Sequence, residues 1–244
     1  MIELKYSGRF GNQLFQYAIG RVVSKEKRQY LFVDSNSTSP EFKNFDLNLH
    51  EEKYSAIIEQ NPIVIGGFKI DYNQILNHNG KVILYGYFQD YENILPYKDY
   101  IKFLYQFEKN KNLYDDELIA VHIRLTDYLD FQNSLDFDYY IDVIKDSGKQ
   151  PVIYTDDPKH EYILNIQNEF NCRVVSNTCW QDFVELSSYK HICISQSSYS
   201  WWAAWLSNAE VIYYPLSSKK YWQHRGDGND INLIVTDESR YIYV

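Results

Sequence analysis

The sequence predicts an α/β protein built on a parallel sheet, and three observations carry that expectation. Short apolar runs alternate with segments of helical length through the second half of the chain, the pattern of strands covered by helices on both faces. Hydrophobic residues make up 45% of the chain and aromatic residues 17%, enough for a real core and too much for a disordered chain. A length of 244 residues suits one compact domain of two lobes or two small domains.

Taken in order, Ile2–Tyr6 reads as a short strand. Leu14, Phe15, Ala18, Val22 and Val23 then recur at helical spacing. Tyr30–Val33, Pro62–Ile65 and Lys81–Tyr87 are the next strands, and the polar stretch 34–60 reads as loop. In the second half the strands are Leu118–Ile123, Pro151–Tyr154, Cys172–Val175, His191–Ser195 and Glu210–Tyr214. Tyr139–Asp146, His160–Phe170, Trp180–Lys190 and Ser200–Leu206 supply the helices between or after them. No internal repeat or low-complexity linker interrupts the chain.

The bulk numbers exclude several function classes. A net charge of −9 with no basic run beyond Lys25–Arg28 argues against nucleic acid as a partner. An anionic small ligand stays open, because local arginines outweigh global charge. The three cysteines, Cys172, Cys179 and Cys193, form no CxxC pair and are expected as free buried thiols of a reducing compartment. No stretch approaches the ~18 apolar residues of a membrane span. The expected location is therefore the cytoplasm, with a peripheral place at a membrane surface permitted. The 24 tyrosines suit stacking on sugars or bases, but an ordinary core is the preferred reading of any one of them.

In parallel sheets, ligands bind beyond the carboxyl ends of the strands. After LIAVHI come Arg124, Thr126 and Asp127; after PVIY come Thr155, Asp156 and Asp157; after HICIS come Gln196, Ser197, Ser198, Tyr199 and Ser200. Each alone reads as a capping or solvated loop residue; the joint pattern reads as a site. Arg124 can fork onto a phosphate through two N–H groups. Ser197 and Ser198, before the apolar WWAAWL helix, offer hydroxyls and helix N-terminal amides to a diphosphate, a role compatible with plain N-capping. A fixed Asp156 carboxylate could accept the two N–H donors of a guanine edge.

The stretch GRFGNQLFQYAIG, residues 8–20, poses a related question. Its glycines let backbone approach a ligand, Asn12 can donate an amide N–H to a phosphate or sugar oxygen, and Arg9 can add a cation. The plain alternative is a strand-to-helix turn. Asp136 and Asp138 form a D-x-D pair of the kind that holds a divalent metal, but a helix-start role before Tyr139 is preferred. No His/Cys set has zinc spacing, and His160 and His224 stand isolated.

The series GRFGNQLFQYA, GYFQDYE, VHIRLTDY, YTDD and HICISQSSYSWWAAWL resembles the bacterial-type α-1,2-fucosyltransferases, glycosyltransferase family 11, from about residue 7 to residue 225. The resemblance implies a GT-B-like fold of two Rossmann-like lobes, with an acceptor-side lobe over 1–117 carrying the GRFGNQ loop and a nucleotide-sugar lobe over 118–244. The donor site would sit at the carboxyl ends of the second lobe's parallel strands. It implies inverting transfer of L-fucose from GDP-fucose to the 2-hydroxyl of galactose, in a galactose-containing glycan or a lipid-linked oligosaccharide, with no metal and no other cofactor. By motif match, Asn12 and Arg124 fall on the diphosphate, His122 beside the nucleotide, Ser197, Ser198 and Tyr199 on the phosphate loop, and Asp156 near guanine or ribose. Arg9 and Gly11 of the glycine turn complete the donor-binding set. Asp127 is the first candidate base and Asp130 the second, with anchoring of Arg124 the alternative role of Asp127.

The chain departs from the family's H-x-R-R-G-D-Y in reading His122-Ile123-Arg124-Leu125-Thr126-Asp127-Tyr128, and Gln196 replaces an asparagine. A lost arginine removes a charge-assisted contact of roughly 1.5–3 kcal/mol where one was made. Two rival readings follow: a metal-dependent transferase using Asp136 and Asp138, and a non-catalytic nucleotide-sugar or glycan binder.

Overall fold

The computed structural model describes residues 1–33, 35–45, 61–130, 134–216 and 231–244. The chain divides into two compact units. One comprises Met1–Phe107 with Arg225–Ile234, the other Glu108–His224 with Val235–Val244. Among the described residues, no helix is long and apolar enough to cross a membrane.

The first unit holds a four-stranded sheet in the order β2-β1-β4-β3, with β1 Ile2–Leu4, β2 Leu31–Val33, β3 Ile63–Ile65 and β4 Val82–Leu84. Every pairing is parallel. Helix α1, Phe10–Lys27, crosses from β1 to β2 and buries Leu14, Phe15, Ala18, Ile19, Val22 and Val23 completely. All of these but Ile19 form the helical stripe read from the sequence. Three shorter helices follow, α2 Tyr72–Asn77, α3 Tyr91–Ile94 and α4 Lys98–Leu104. Asp71 and Asp90 cap the first two through their carboxylates. None of these three stands out from the sequence, because each is too short to display a period. Of the stretch read as loop, 35–45 contains two 3₁₀ turns, and 46–60 lie outside the described residues.

The second unit holds a six-stranded, all-parallel sheet in the order β10-β9-β8-β5-β6-β7. Its strands are β5 Leu118–Ile123, β6 Gln150–Thr155, β7 Arg173–Val175, β8 His191–Cys193, β9 Val211–Tyr214 and β10 Tyr241–Tyr243. Its helices are α5 Thr126–Asp130, α6 Phe137–Ser147, α7 Glu161–Phe170, α8 Cys179–Leu186 and α9 Ser198–Trp205. β5 lies in the sheet interior and is buried along nearly its whole length, as a strand covered on both faces must be. Strand β10 was not read from the sequence; it pairs with β9 although residues 215–240 separate the two, a long-range contact that no local pattern announces.

Helix α9 is buried all round. Trp201, Trp202 and Trp205 are essentially inaccessible, and the rings of Trp201 and Trp205 stack at 5.6 Å. A helix apolar on every side is held by the core rather than by a surface stripe. Arg240 secures its far end by donating to the carbonyls of Trp205 at 3.0 Å and Ser207 at 2.9 Å, satisfying oxygens that a helix terminus leaves open. The cysteines are free as expected, but Cys179 is exposed at the first turn of α8 rather than buried.

Candidate active site

The strand order of the second sheet locates the site. From β5 the chain runs outward one way through β6 and β7, then returns to the other side of β5 through β8, β9 and β10. The reversal leaves a switch point between β5 and β8, where the carboxyl ends open a crevice. The residues bordering it are those the sequence singles out in this half of the chain.

His122, the penultimate residue of β5, spans the switch point: its Nδ1 and the Ser195 hydroxyl lie 2.8 Å apart. Ser195 in turn meets the Ser200 hydroxyl at 3.3 Å, and Ser200 donates to the carbonyls of Ser195 and Ser197, each at 3.2 Å. Tyr199 stacks obliquely on the His122 ring at 5.3 Å and donates its hydroxyl to the Cys179 carbonyl at 2.7 Å. The imidazole is therefore clamped between a hydroxyl network and an aromatic ring. Burial, reinforced by the nearby positive charge of Arg124 and only partly offset by Asp156, pulls its pKa down to about 3. His122 is neutral at physiological pH and acts as a fixed hydrogen-bonding group.

Arg124 begins the turn after β5. Its Nε and Nη2 donate to Asp127 Oδ1 at 3.1 and 2.7 Å, and its Nη1 meets Asp156 Oδ2 at 2.7 Å. Asp156 also accepts the Leu125 backbone N–H on Oδ1 at 2.9 Å and the Thr126 hydroxyl on Oδ2. The carboxylate read from the sequence as a guanine acceptor thus has both oxygens engaged by the β5–α5 turn. Asp127 likewise anchors the guanidinium, and the Tyr128 ring lies 5.9 Å from it. Two carboxylates hold a planar, permanently charged fork in one orientation.

Leu125 explains the departure from the family pattern. It is inaccessible and packs in the core with Ile123, Leu135, Tyr140 and Ile163. In this chain the position faces the core, where an unpaired arginine would be costly.

Ser197 occupies the N-cap position of α9 without a side-chain cap bond, and Ser198 opens the helix; both are buried. The second unit thus assembles His122, Arg124, Asp127, Asp156, Ser197, Ser198 and Tyr199 from the ends of β5, β6 and β8. Asp130 closes α5, and its side chain lies outside the described part, as do residues 217–230 with His224. Asp136 occupies the N-cap position of α6 and Asp138 its first turn. Ser195 and Tyr128 are partners that sequence reasoning did not single out; the hydroxyl at the end of HICIS was the available signal for Ser195.

The first unit answers the question posed by GRFGNQ. Gly8 has φ +73°, and a Cβ there would lie 2.2 Å from Asn12 Nδ2, so a side chain is excluded twice over. Gln13 donates to the carbonyls of Gly8 at 3.2 Å and Ser37 at 3.1 Å and accepts the Ser39 N–H at 2.7 Å. Gln16 pairs with both backbone groups of Ser7 at 3.1 Å. These two amides staple the turn. Asn12 differs: its Oδ1 accepts from Gln89 Nε2 at 2.7 Å, which directs its NH₂ as the donor. Arg9 is exposed at the N-cap position of α1 without a side-chain cap bond, and Gly11 is buried in the helix's first turn.

The fold is of the GT-B glycosyltransferase class. An Arabidopsis thaliana FUT1 mutant in complex with GDP superposes with a TM-score of 0.56 at 11% identity, covering 94% of this chain and 72% of that one. The chain belongs to glycosyl transferase family 11, whose model matches residues 1–223, and it is a fucosyltransferase-like glycosyltransferase. The O-antigen biosynthesis glycosyltransferase WbnK of Escherichia coli is 27% identical over 271 aligned positions, spanning 84% of this chain and 89% of WbnK. An alpha-1,2-colitosyltransferase of Escherichia coli is 24% identical over 263 positions, spanning 86% of this chain and 89% of that protein.

Proposed function

We propose that the protein transfers L-fucose from GDP-fucose, with inversion, to the 2-hydroxyl of a galactose in an O-antigen-type or lipid-linked oligosaccharide. The observation that carries this reading is the guanidinium of Arg124, fixed between Asp127 and Asp156 just beyond the carboxyl end of β5. Such a group neutralises charge developing on a departing diphosphate, and preorganised donors of this kind supply the largest catalytic contribution. In this reading the α9 amides and the Ser197 and Ser198 hydroxyls cradle phosphate oxygens. Neutral His122 presents a hydrogen bond to the nucleotide, and Asn12 gives an uncharged amide N–H to the donor. Asp127 holds Arg124 and is the candidate to take the proton of the acceptor hydroxyl. The reaction needs no metal.

Transfer of colitose is the second reading, favoured by the name of one relative. Colitose is L-fucose without its 3-hydroxyl, so the same diphosphate machinery serves either sugar.

A donor screen separates these readings. The purified chain is offered GDP-fucose, GDP-colitose and UDP- and ADP-linked sugars, and free nucleotide is measured with and without β-galactosides. Galactoside-dependent release of GDP from GDP-fucose is expected. Release from GDP-colitose alone establishes the second reading, and GDP binding without release from any donor leaves a non-catalytic binder.

A further inference from the structure

Gln89 belongs to the GYFQDYE stretch and is buried, at 4% exposure. Its Nε2 donates to Asn12 Oδ1 at 2.7 Å across 77 residues of chain. The other two amides of the glycine turn bond to backbone: Gln13 to Gly8, Ser37 and Ser39, and Gln16 to Ser7. The Asn12–Gln89 bond satisfies no backbone group. What it fixes is polarity. Asn12 is held with its oxygen toward Gln89, and its Nδ2 lies over Gly8, where a Cβ would come within 2.2 Å of it.

The loop that carries Gln89 is fixed on both sides. Phe88 is fully buried at φ +54°, a left-handed backbone that a bulky residue rarely adopts. Its N–H donates to the Gly67 carbonyl at 3.0 Å, and its carbonyl accepts from the Asp90 N–H at 3.0 Å and from Asn93 Nδ2 at 3.1 Å. A Cβ on Gly86, two residues earlier, would come within 2.7 Å of Gly67 N and O. Beyond Phe88, the Gln89 carbonyl accepts the Asn232 N–H at 3.2 Å, and the Asn232 carbonyl accepts the Tyr91 N–H at 2.6 Å. Strained backbone persists where its surroundings over-determine it, and it collects at functional sites. Here it aims one side-chain amide at another.

We infer that Gln89 is a positioning residue: it sets the Asn12 amide with its N–H end toward the diphosphate oxygens of the donor. The inference rests on the reading of Asn12 as a donor contact and names what makes it one. A carboxamide turned by ~180° exchanges its donor and acceptor ends, and an amide oxygen facing a diphosphate is repelled by it.

Gln89→Glu tests this, because an ionised carboxylate only accepts. It would draw the Asn12 NH₂ to itself and leave Oδ1 facing the diphosphate. Protonated, the introduced carboxyl has an O–H that donates to Asn12 Oδ1 and restores the original polarity, and burial raises the pH at which it protonates. The ionisable groups on the elements around it are Arg9 at the start of α1, and Tyr87 and Asp90 on its own loop, with Lys69 and Glu92 beside Asp90. Residues 231–234 carry none. All of these remain in every variant, so wild type at the same pH is the reference.

GDP affinity of the full chain is measured by titration calorimetry from pH 5 to pH 8, with GDP release from GDP-fucose as the activity. Gln89→Glu should bind GDP about tenfold more weakly than wild type at pH 8 and regain most of that loss at pH 5. Gln89→Met should show a smaller loss that is the same at every pH. In an Asn12→Ala background both substitutions should change GDP affinity by less than about twofold. A merely structural tie would lower the unfolding temperature of both variants and leave GDP affinity unaltered. That result overturns the inference, as does a pH-independent loss in Gln89→Glu or an undiminished effect in the Asn12→Ala background. A wild-type chain that binds no GDP overturns the donor reading together with this inference. GDP binding that depends on Gln89 in this way, in a chain that turns over no donor, supports the inference and sinks the proposed transfer.

Discussion

Arg124 and His122 are neighbours on one strand end with opposite electrostatic characters. The guanidinium keeps its charge and is tied to two carboxylates, Asp127 and Asp156. A lysine at position 124 keeps the charge but cannot reach both carboxylates with a planar fork. Arg124→Lys and Arg124→Ala should therefore both fold and both lose at least about 10²-fold in kcat, the scale of one lost preorganised donor. Circular dichroism would establish folding, and near-normal turnover in either variant would refute the role. His122 makes a prediction about acid. Its native pKa is lowered to about 3 by burial and then by Arg124, whereas in the unfolded chain it titrates near ~6.5. Between those values the unfolded state binds a proton that the native state does not. The stability contribution is thus full above ~6.5 and falls as pH drops toward 3, by up to about 1.4 kcal/mol per pH unit. Urea midpoints followed from pH 6.5 to 4.5 should fall more steeply for wild type than for His122→Gln; parallel slopes would mean that the imidazole is not held neutral.

At the scale of the element, α1 and α9 both begin directly beyond a strand's carboxyl end, and their first turns are shaped differently. The α1 turn is stapled by the side-chain amides of Gln13 and Gln16, and α9 is immobilised by its buried tryptophans. Asn12 lies in the first turn of α1, beyond the cap position at Arg9. Aspartate there would still accept from Gln89 and would favour the helix dipole, so a purely structural Asn12 makes Asn12→Asp milder than Asn12→Ala. A donor-binding Asn12 makes the order opposite, because only aspartate puts a negative charge beside a diphosphate in a site shielded from water. GDP-fucose KM and kcat for the two variants are expected to show Asn12→Asp as the more damaged, and the reverse order would reduce the turn to a structural one.

Across the whole molecule, each unit carries its own parallel sheet, and each sheet reverses its strand order once. The second unit's strand ends carry a fixed cation, Arg124, held between Asp127 and Asp156. That arrangement calls on neither Asp136 nor Asp138, which begin α6, where carboxylates meet the positive end of the helix dipole. Galactoside-dependent GDP release should therefore persist in EDTA at an unchanged rate. Abolition by EDTA with recovery on adding manganese would return those two aspartates to the reaction.

The alternation of strand and helix in the second half, and the chemistry gathered at its strand ends, were legible from the chain alone. Apolar periodicity and the residue that follows a strand are local properties, and β5 falls on the residues read for it, Leu118–Ile123. The same holds for His122, Arg124 and the serines before α9, whose places follow from the element each one terminates or starts. Only tertiary structure decided which of them meet. Asp156 reaches Leu125 across 31 residues, His122 reaches Ser195 across 73, and Gln89 reaches Asn12 across 77. Those encounters depend on strand order, which is settled by the packing of distant apolar faces and leaves no trace in any short window. For that reason no short window shows that Asp156 holds Arg124 and the turn after β5, or that Leu125, which reads as a missing arginine, packs in the core.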